Sequence, residues 1–234
     1  MSIQNFMKCV ILCGGKGTRI NELTQEMPKS LLMVGERPML LRLIDHYAKY
    51  GVNEFILCLG YQGNKIKEYF KLNPSRYKIE MVDTGENVTK AERLLKVKNL
   101  LGEKFFVAYG DDLSDVDIND LASFYNKNNK IALLTAIRPY NPFGVIKIDE
   151  NTGEVKEFKE KPLMNEWING GFFIFDKKIF NYFAEGDELE KEIFEKLVRD
   201  KQIIAFKHNG FWKSMNNLKD YKELNSMYER GELK

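Results

Sequence analysis

The stretch Met7–Arg19, MKCVILCGGKGTR, carries the reading from which the fold follows. Its first seven residues form an almost continuous apolar run, β-branched enough to predict a strand buried on both faces, as in parallel sheets. GGKGTR then breaks the run. Glycines placed directly after a buried strand expose backbone N–H groups and let a phosphate approach the carboxyl ends of parallel strands. Lys16, Arg19 and the later Lys29 add positive charge. The loop from Gly14 to Arg19 therefore reads as the phosphate-handling part of an enzyme that uses a nucleoside triphosphate. It is not a dinucleotide fingerprint, whose third glycine would fall where Ile20 stands, and a Walker A loop would need Ser or Thr after Gly-Lys and a longer glycine spacing.

Downstream, apolar positions alternate between the two periods. Pro38 can open a helix whose Leu40, Leu41, Leu43, Ile44 and Tyr47 recur at helical spacing and which Gly51 can close. A strand over Glu54–Leu59, a helix over Gly63–Lys71, a strand over Tyr77–Val82, a helix over Lys90–Leu101 and a strand over Lys104–Tyr109 follow. Strands alternating with helices imply right-handed crossovers and a mostly parallel sheet. Past Asp112 come one more helix and strand, then FGVIKID, GEVKEFKEK and NGGFFIFD, which read as shorter strands of an antiparallel or mixed region. The tail predicts amphipathic helices over Leu189–Arg199 and Leu218–Arg230, with a strand-like segment from Ile203 to Trp212 between them. The expected organisation is a single domain over 1–234, with a nucleotide-binding lobe at 7–115 and a smaller acceptor-binding lobe with the C-terminal helices at 116–234.

The bulk properties narrow the class. Thirty-six basic residues stand against 34 acidic ones, so no global field points to nucleic acid or an anionic membrane, and any anion site is local. The aromatic residues are accompanied by no basic stripe and read as core. Cys9, Cys13 and Cys58 sit in strand-like runs without metal-ligand spacing and are expected to be reduced, structural thiols. No run is long enough to span a bilayer and the N-terminus resembles no signal peptide, which predicts a cytoplasmic protein. Of the two histidines, His46 lies in a helix pattern and His208 beside an Asn-Gly turn, and neither is expected to act as a catalytic base.

GGKGTRINELTQEMPKSLLMVGERPML, Gly14–Leu40, resembles the signature of the sugar 1-phosphate nucleotidyltransferases, GGxGTRLxxLTxxxPK, with Arg19, Lys29 and Pro38 at matching positions. Within that superfamily the chain most resembles the glucose-1-phosphate cytidylyltransferase family, through CLGYQGNKIKEYF, VDTG, YGDD, FGVIKID, FKEKP, WINGGFF and HNGFW in the same order over nearly its whole length. The resemblance implies a Rossmann-like α/β nucleotidyltransferase fold with a mostly parallel, mixed central sheet flanked by helices. It also implies transfer of CMP from CTP to a sugar 1-phosphate, probed first with glucose 1-phosphate, to give a CDP-sugar and pyrophosphate for polysaccharide precursor synthesis. VDTG at Val82–Gly85, in place of a Gln-x-x-Pro-x-Gly-x-Ala loop, favours CTP.

Attack by one phosphate on the α-phosphorus of a triphosphate gathers several negative oxygens, so positioning and cationic neutralisation are the main tasks. The resemblance gives the catalytic roles to Arg19 and Lys29. It places Leu12, Gly14, Gly15, Gly17, Thr18, Arg19, Thr84, Gly85 and Asp111 at the nucleotide, and Glu160, Lys161, Asn169 and Gly170 at the acceptor. Asp111 follows an apolar strand and a glycine, a position from which a carboxylate can hold Mg²⁺ against phosphates. The family pattern FWxxMDTxRD appears here as FWKSMNNLKD, Phe211–Asp220, so the second Mg²⁺ ligand becomes Asn216, an amide oxygen without charge. Asp112, where the family usually has glycine, is a candidate to compensate. The family's Thr-Gly-Gly-Arg aligns with Lys90, Ala91, Glu92 and Arg93, which adds side chains near the nucleotide, and the segment between Phe70 and Val82 lacks an insertion that contributes to subunit contacts in relatives. A homo-oligomer is an expectation on family grounds. Two other readings stay open at this point: a cytidylyltransferase for a phosphorylated non-sugar acceptor of the phosphocholine or phosphoglutamine type, and a nucleotide-binding homologue without turnover.

Overall fold

A computed structural model describes residues 8–17 and 20–233. The first half runs β1 (Lys8–Leu12), α1 (Asn21–Thr24), β2 (Met33–Val34), β3 (Arg37–Pro38), α2 (Met39–Lys49), β4 (Glu54–Leu59), α3 (Gly63–Leu72), β5 (Lys78–Asp83), α4 (Lys90–Val97) and β6 (Lys104–Tyr109). The second half adds β7 (Asp112–Ser114), α5 (Ile118–Asn128), β8 (Ala132–Ile137), β9 (Val145–Ile148), β10 (Val155–Lys159), β11 (Ile168–Asp176), α6 (Phe194–Arg199), β12 (Ile203–His208), β13 (Trp212–Ser214) and α7 (Leu218–Glu229).

Seven strands form one sheet in the order β12-β8-β11-β6-β1-β4-β5. β6, β1, β4 and β5 are parallel, β12 is parallel to β8, and β11 alone runs against its neighbours β6 and β8. The mostly parallel mixed sheet expected from the sequence is the one observed. Strand period explains why MKCVILC is apolar throughout: Cys9 and Ile11 face the layer built by α2, α3 and α5, while Val10 and Leu12 face the layer built by α4 and α6. β8, β11 and β12 extend the same sheet, so residues on both sides of Asp112 share its two cores. Among the described residues three two-stranded pairs lie outside this sheet: β9–β10, β7–β13 and β2–β3.

Local boundaries differ from the periodic reading where caps and turns intervene. α4 starts in a capping box, Thr89 accepting from the Glu92 N–H and Glu92 accepting from the Thr89 N–H, but stops at Val97. Lys98–Leu100 continue as a 3₁₀ turn whose Leu100 carbonyl accepts from Lys8 Nζ at 2.5 Å. The helix expected over Leu189–Arg199 divides into a π turn at Leu189–Ile193 and α6. The segment from Ile203 to Trp212 divides at Asn209-Gly210 into β12, which joins the main sheet, and β13, which pairs with β7. Cys9, Cys13 and Cys58 are free and buried, and burial pushes their thiols up, Cys58 to about 12. Among the described residues no helix is long and apolar enough to cross a membrane.

Phe173 on β11 is fully buried and its ring meets Tyr109, Phe175 and Phe194. Phe173→Ala is expected to cost about 3–5 kcal/mol, because the surrounding rings cannot collapse into the space. Urea unfolding should show a lowered midpoint at unchanged slope.

Candidate active site

A cavity of about 580 Å³ opens at the carboxyl ends of β1 and β6, the edge of a parallel sheet where ligands enter α/β folds. Leu12, Gly14, Gly15 and Gly17 supply one wall. Tyr109, Asp111 and Asp112 supply a second, and Lys29 reaches in from the turn after Pro28. Glu86, Val88, Thr89 and Lys90 bring the entry of α4, and Asn169, Ser214 and Asn216 close the far side.

One buried cation shapes the floor. The Arg93 side chain on α4 donates from Nη1 to the Leu59 carbonyl at 3.1 Å, Thr84 Oγ1 at 2.6 Å and the Gly85 carbonyl at 2.7 Å. Its Nη2 donates to the Gly14 carbonyl at 3.0 Å and the Glu86 carbonyl at 3.2 Å. The loops that leave β1, β4 and β5 are thereby tied to one guanidinium. Burial lowers its pKa, yet a guanidinium keeps its charge in any folded protein. The close approach requires glycine: a Cβ on Gly14 would lie 2.3 Å from Arg93 Nη1. Arg93 is thus occupied by protein oxygens rather than offered to a ligand as an open charge.

Lys29 Nζ meets Asp111 Oδ2 at 2.5 Å inside the cavity. Asp112, the next residue, is only 4% exposed, and its side chain is hydrogen-bonded to Ser214. Burial, and then the charge of Asp111, push the Asp112 carboxyl up. Room for it comes from Gly171, whose φ of 77° and missing side chain leave the space where a Cβ would sit 2.2 Å from Asp112 Oδ2. The backbone of Met215 donates to the Asp111 carbonyl at 2.9 Å, and the Asn216 N–H donates to Asp220 Oδ2 at 2.9 Å, which fixes Asn216 beside the two carboxylates. Asp111, Asp112, Ser214 and Asn216 present only oxygen donors in their side-chain carbonyl, carboxylate and hydroxyl groups, a set that suits a hard cation. Among the described residues no group of three or more His, Cys, Asp or Glu side chains is gathered for a metal.

Beside this group Asn169 Oδ1 accepts from the Gly171 N–H at 3.0 Å, and its Nδ2 reaches the Tyr109 hydroxyl at 3.5 Å. Tyr109 donates to Glu190 Oε1 at 2.5 Å, the same oxygen that Lys90 pairs with, and the Lys90 ammonium lies 4.5 Å from the Tyr109 ring centre. Lys90 is among the residues the sequence places near the nucleotide, whereas Tyr109 and Glu190 are not singled out by sequence. Tyr109 carried a signal, a polar-tipped ring at the last strand position before Gly-Asp. Glu190 carried none, since it arrives from 81 residues away.

Of the site residues expected from sequence, the cavity gathers Leu12, Gly14, Gly15, Gly17, Lys29, Asp111, Asn169 and Asn216. Thr18 and Arg19 lie outside the described residues. Thr84 is fully buried beneath Arg93, its hydroxyl donating to the Leu59 carbonyl at 2.6 Å, and Gly85 contributes its carbonyl to the same guanidinium, so both support the wall from behind. Gly170 accepts from Trp212 Nε1 at 2.7 Å and is buried against Ile137. Glu160 and Lys161 follow β10, are exposed, pair with each other at 3.5 Å and do not line the cavity. His46 is bound through Nε2 to the Val116 carbonyl at 2.9 Å and His208 lies 2.9 Å from Asp115; neither imidazole lines the cavity.

A family model described as nucleotidyl transferase matches residues 8–231. A Bacillus subtilis (strain 168) relative named "Probable glucose-1-phosphate cytidylyltransferase" is 37% identical over 97% of this chain and 98% of its own. The glucose-1-phosphate cytidylyltransferase of Salmonella typhimurium is 33% identical over 96% of this chain and 97% of its own. A solved UDP-glucose pyrophosphorylase complexed with UDP-glucose superposes with a TM-score of 0.74 at 20% identity, covering 97% of this chain and 99% of that one, which shows the shared fold.

Arg93→Met removes five hydrogen bonds and is expected to destabilise the chain by at least about 3 kcal/mol. Arg93→Lys, with a single ammonium, should recover only part of that loss, as read by urea unfolding.

Proposed function

The chain belongs to the nucleotidyl transferase family, and from that premise we propose that it transfers CMP from CTP to a sugar 1-phosphate, glucose 1-phosphate first among them, releasing pyrophosphate and forming a CDP-sugar. The observation that carries this reading is the Lys29–Asp111 pair facing the Gly14–Gly17 loop across one cavity. A cation, a carboxylate and a run of backbone N–H groups then surround the place where phosphates would meet. The choice of cytidine rests on VDTG and on the names of the two relatives aligned along nearly the whole chain.

In this reaction an oxygen of the acceptor phosphate attacks the α-phosphorus of CTP, and the bond from that phosphorus to the pyrophosphate oxygen breaks. No covalent enzyme intermediate is needed. The glycine loop holds the triphosphate through backbone N–H groups, and Lys29 neutralises charge that builds on the transferring phosphoryl oxygens. Arg19 is assigned to the triphosphate by its motif position. Asn169, which Gly171 and Tyr109 hold by hydrogen bonds, is assigned to the acceptor hydroxyls by its motif position. Asp111, with Asp112 and Asn216 beside it, would hold Mg²⁺, which supplies charge neutralisation at phosphate oxygens when bound.

Pyrophosphate release from CTP should require a sugar 1-phosphate in a panel that also contains phosphocholine and phosphorylated amides. Release driven only by a non-sugar acceptor, or CTP binding without release, would overturn the proposal. Lys29→Met should lower kcat by about 10²–10³-fold, the scale for losing one preorganised electrostatic contact to a transition state.

Mn²⁺ binding followed by electron paramagnetic resonance tests the cation site separately from turnover. Asp111→Asn should weaken binding, and Asn216→Asp should tighten it by restoring a second charge opposite Asp111. Unchanged affinity in Asn216→Asp would remove Asn216 from the site.

A further inference from the structure

Among the described residues Lys29, Lys90 and Arg93 are the cationic side chains that line the cavity. Lys29 serves the transferring phosphoryl group in the proposed reaction, and Arg93 is taken up by five protein oxygens. Lys90 is left without a task. It opens α4 directly after the N-cap Thr89, where the helix dipole works against a positive charge. It is not needed as a clasp either, because Thr89 Oγ1 already ties this end of α4 to the Asp187 carbonyl at 2.9 Å, just before the π turn. The Lys90 ammonium lies 4.5 Å from the Tyr109 ring centre and, among the described residues, donates to Glu190 Oε1. An ammonium has three donors, and the Lys90 side chain is 43% exposed, so donors remain for a ligand. The Tyr109 hydroxyl donates to the same Glu190 oxygen at 2.5 Å, which leaves that carboxylate a partner when Lys90 turns to a ligand.

We propose that Lys90 is a specificity-determining residue that binds a carboxylate on the acceptor, so that a uronic acid 1-phosphate is preferred to a neutral sugar 1-phosphate. This rests on the sugar 1-phosphate reading and on the acceptor role that its motif gives Asn169. Tyr109 joins the two residues, its ring meeting the Lys90 ammonium and its hydroxyl lying 3.5 Å from Asn169 Nδ2. The acceptor's own phosphate has to meet the α-phosphorus beside the Lys29–Asp111 pair, which leaves Lys90 for a different group. A hydroxyl is served by the Asn169 amide and needs no ammonium. One ammonium balances a single negative charge, and Glu190 beside it opposes a second, whereas a phosphate monoester brings about two. A carboxylate is the group that fits. The family pattern aligns its threonine with Lys90, so this charge is a departure of the present chain.

Nuclear magnetic resonance titration of the full chain, with CTP present and divalent metal chelated, reads acceptor binding without turnover. Two matched pairs isolate the carboxylate: glucuronic acid 1-phosphate against glucose 1-phosphate, and galacturonic acid 1-phosphate against galactose 1-phosphate. In at least one pair the acid should bind about 10-fold more tightly, the scale of one charge-assisted hydrogen bond. Lys90→Met should bring that ratio to within about threefold of unity, and Lys90→Arg should keep most of it. Glu190→Gln should raise the ratio, because the ammonium then has no carboxylate to leave. A lysine that only fastened α4 would shift both members of a pair together. A wild-type ratio near unity in both pairs, or a ratio that Lys90→Met leaves in place, overturns the proposal. If pyrophosphate release still depends on a sugar 1-phosphate in that case, the Lys90 assignment alone has failed. Phosphoserine bound more tightly than every sugar 1-phosphate, and losing that advantage in Lys90→Met, would uphold carboxylate recognition and overturn the sugar reading.

Discussion

The arrangement of the cavity depends on the burial of one guanidinium. Arg93 satisfies oxygens from the loops that leave three parallel strands, and those loops are what the cavity is made of. Carbonyls at strand ends have lost their ladder partners and must be paired when buried. A cation with five donors in a fixed plane can pair several at once, and the planar fork sets how far apart they stand. Gly14 and Gly60 have no side chains because the guanidinium occupies the space beside them. The glycine loop that starts at Gly14 is therefore held from behind by a residue that, in sequence, sits 79 positions later on a helix.

The same cavity is nearly balanced in charge. Lys29 is engaged by Asp111, Lys90 by Glu190 and Arg93 by carbonyl and hydroxyl oxygens. In the proposed reaction an incoming phosphate would compete with carboxylates already in place for the two lysines. On the proposed reaction a polyanion would bind here by exchanging partners rather than by filling an open positive well, in keeping with a chain whose overall charge is close to neutral.

The sheet was legible from sequence because burial on two faces writes a continuous apolar run, and β1, β4 and β6 each carry one. The glycine loop, Lys29 and Asp111 were legible because they lie within a few residues of those strand ends or match a motif. What sequence did not disclose was long-range. Arg93 looked like an added charge near a ligand, and only the fold shows it enclosed by backbone oxygens. Thr84 matched a ligand position and turns out to be a buried support for Arg93. Glu190 reaches Tyr109 through a π turn that no periodicity predicts. The β9–β10 hairpin was visible as short strands, but its two faces emerge only from the bulged register.

The sheet order carries a consequence for synthesis on the ribosome. Among the strands of the main sheet β8 is the next after β6 along the chain, yet the two are not neighbours; β11 lies between them and pairs with both. Until residues 168–176 have emerged, the apolar edge of β6 has no strand on that side, and the half-sheet β6-β1-β4-β5 presents an open template for pairing. The N-terminal half cannot complete its fold as a unit during translation, because its closing strand is encoded more than fifty residues after β6 ends. Long-range insertion of this kind slows folding and prolongs exposure of Phe105, Phe106 and Val107. A chain cut after β8 would accordingly be an aggregating fragment rather than a smaller nucleotide-binding domain.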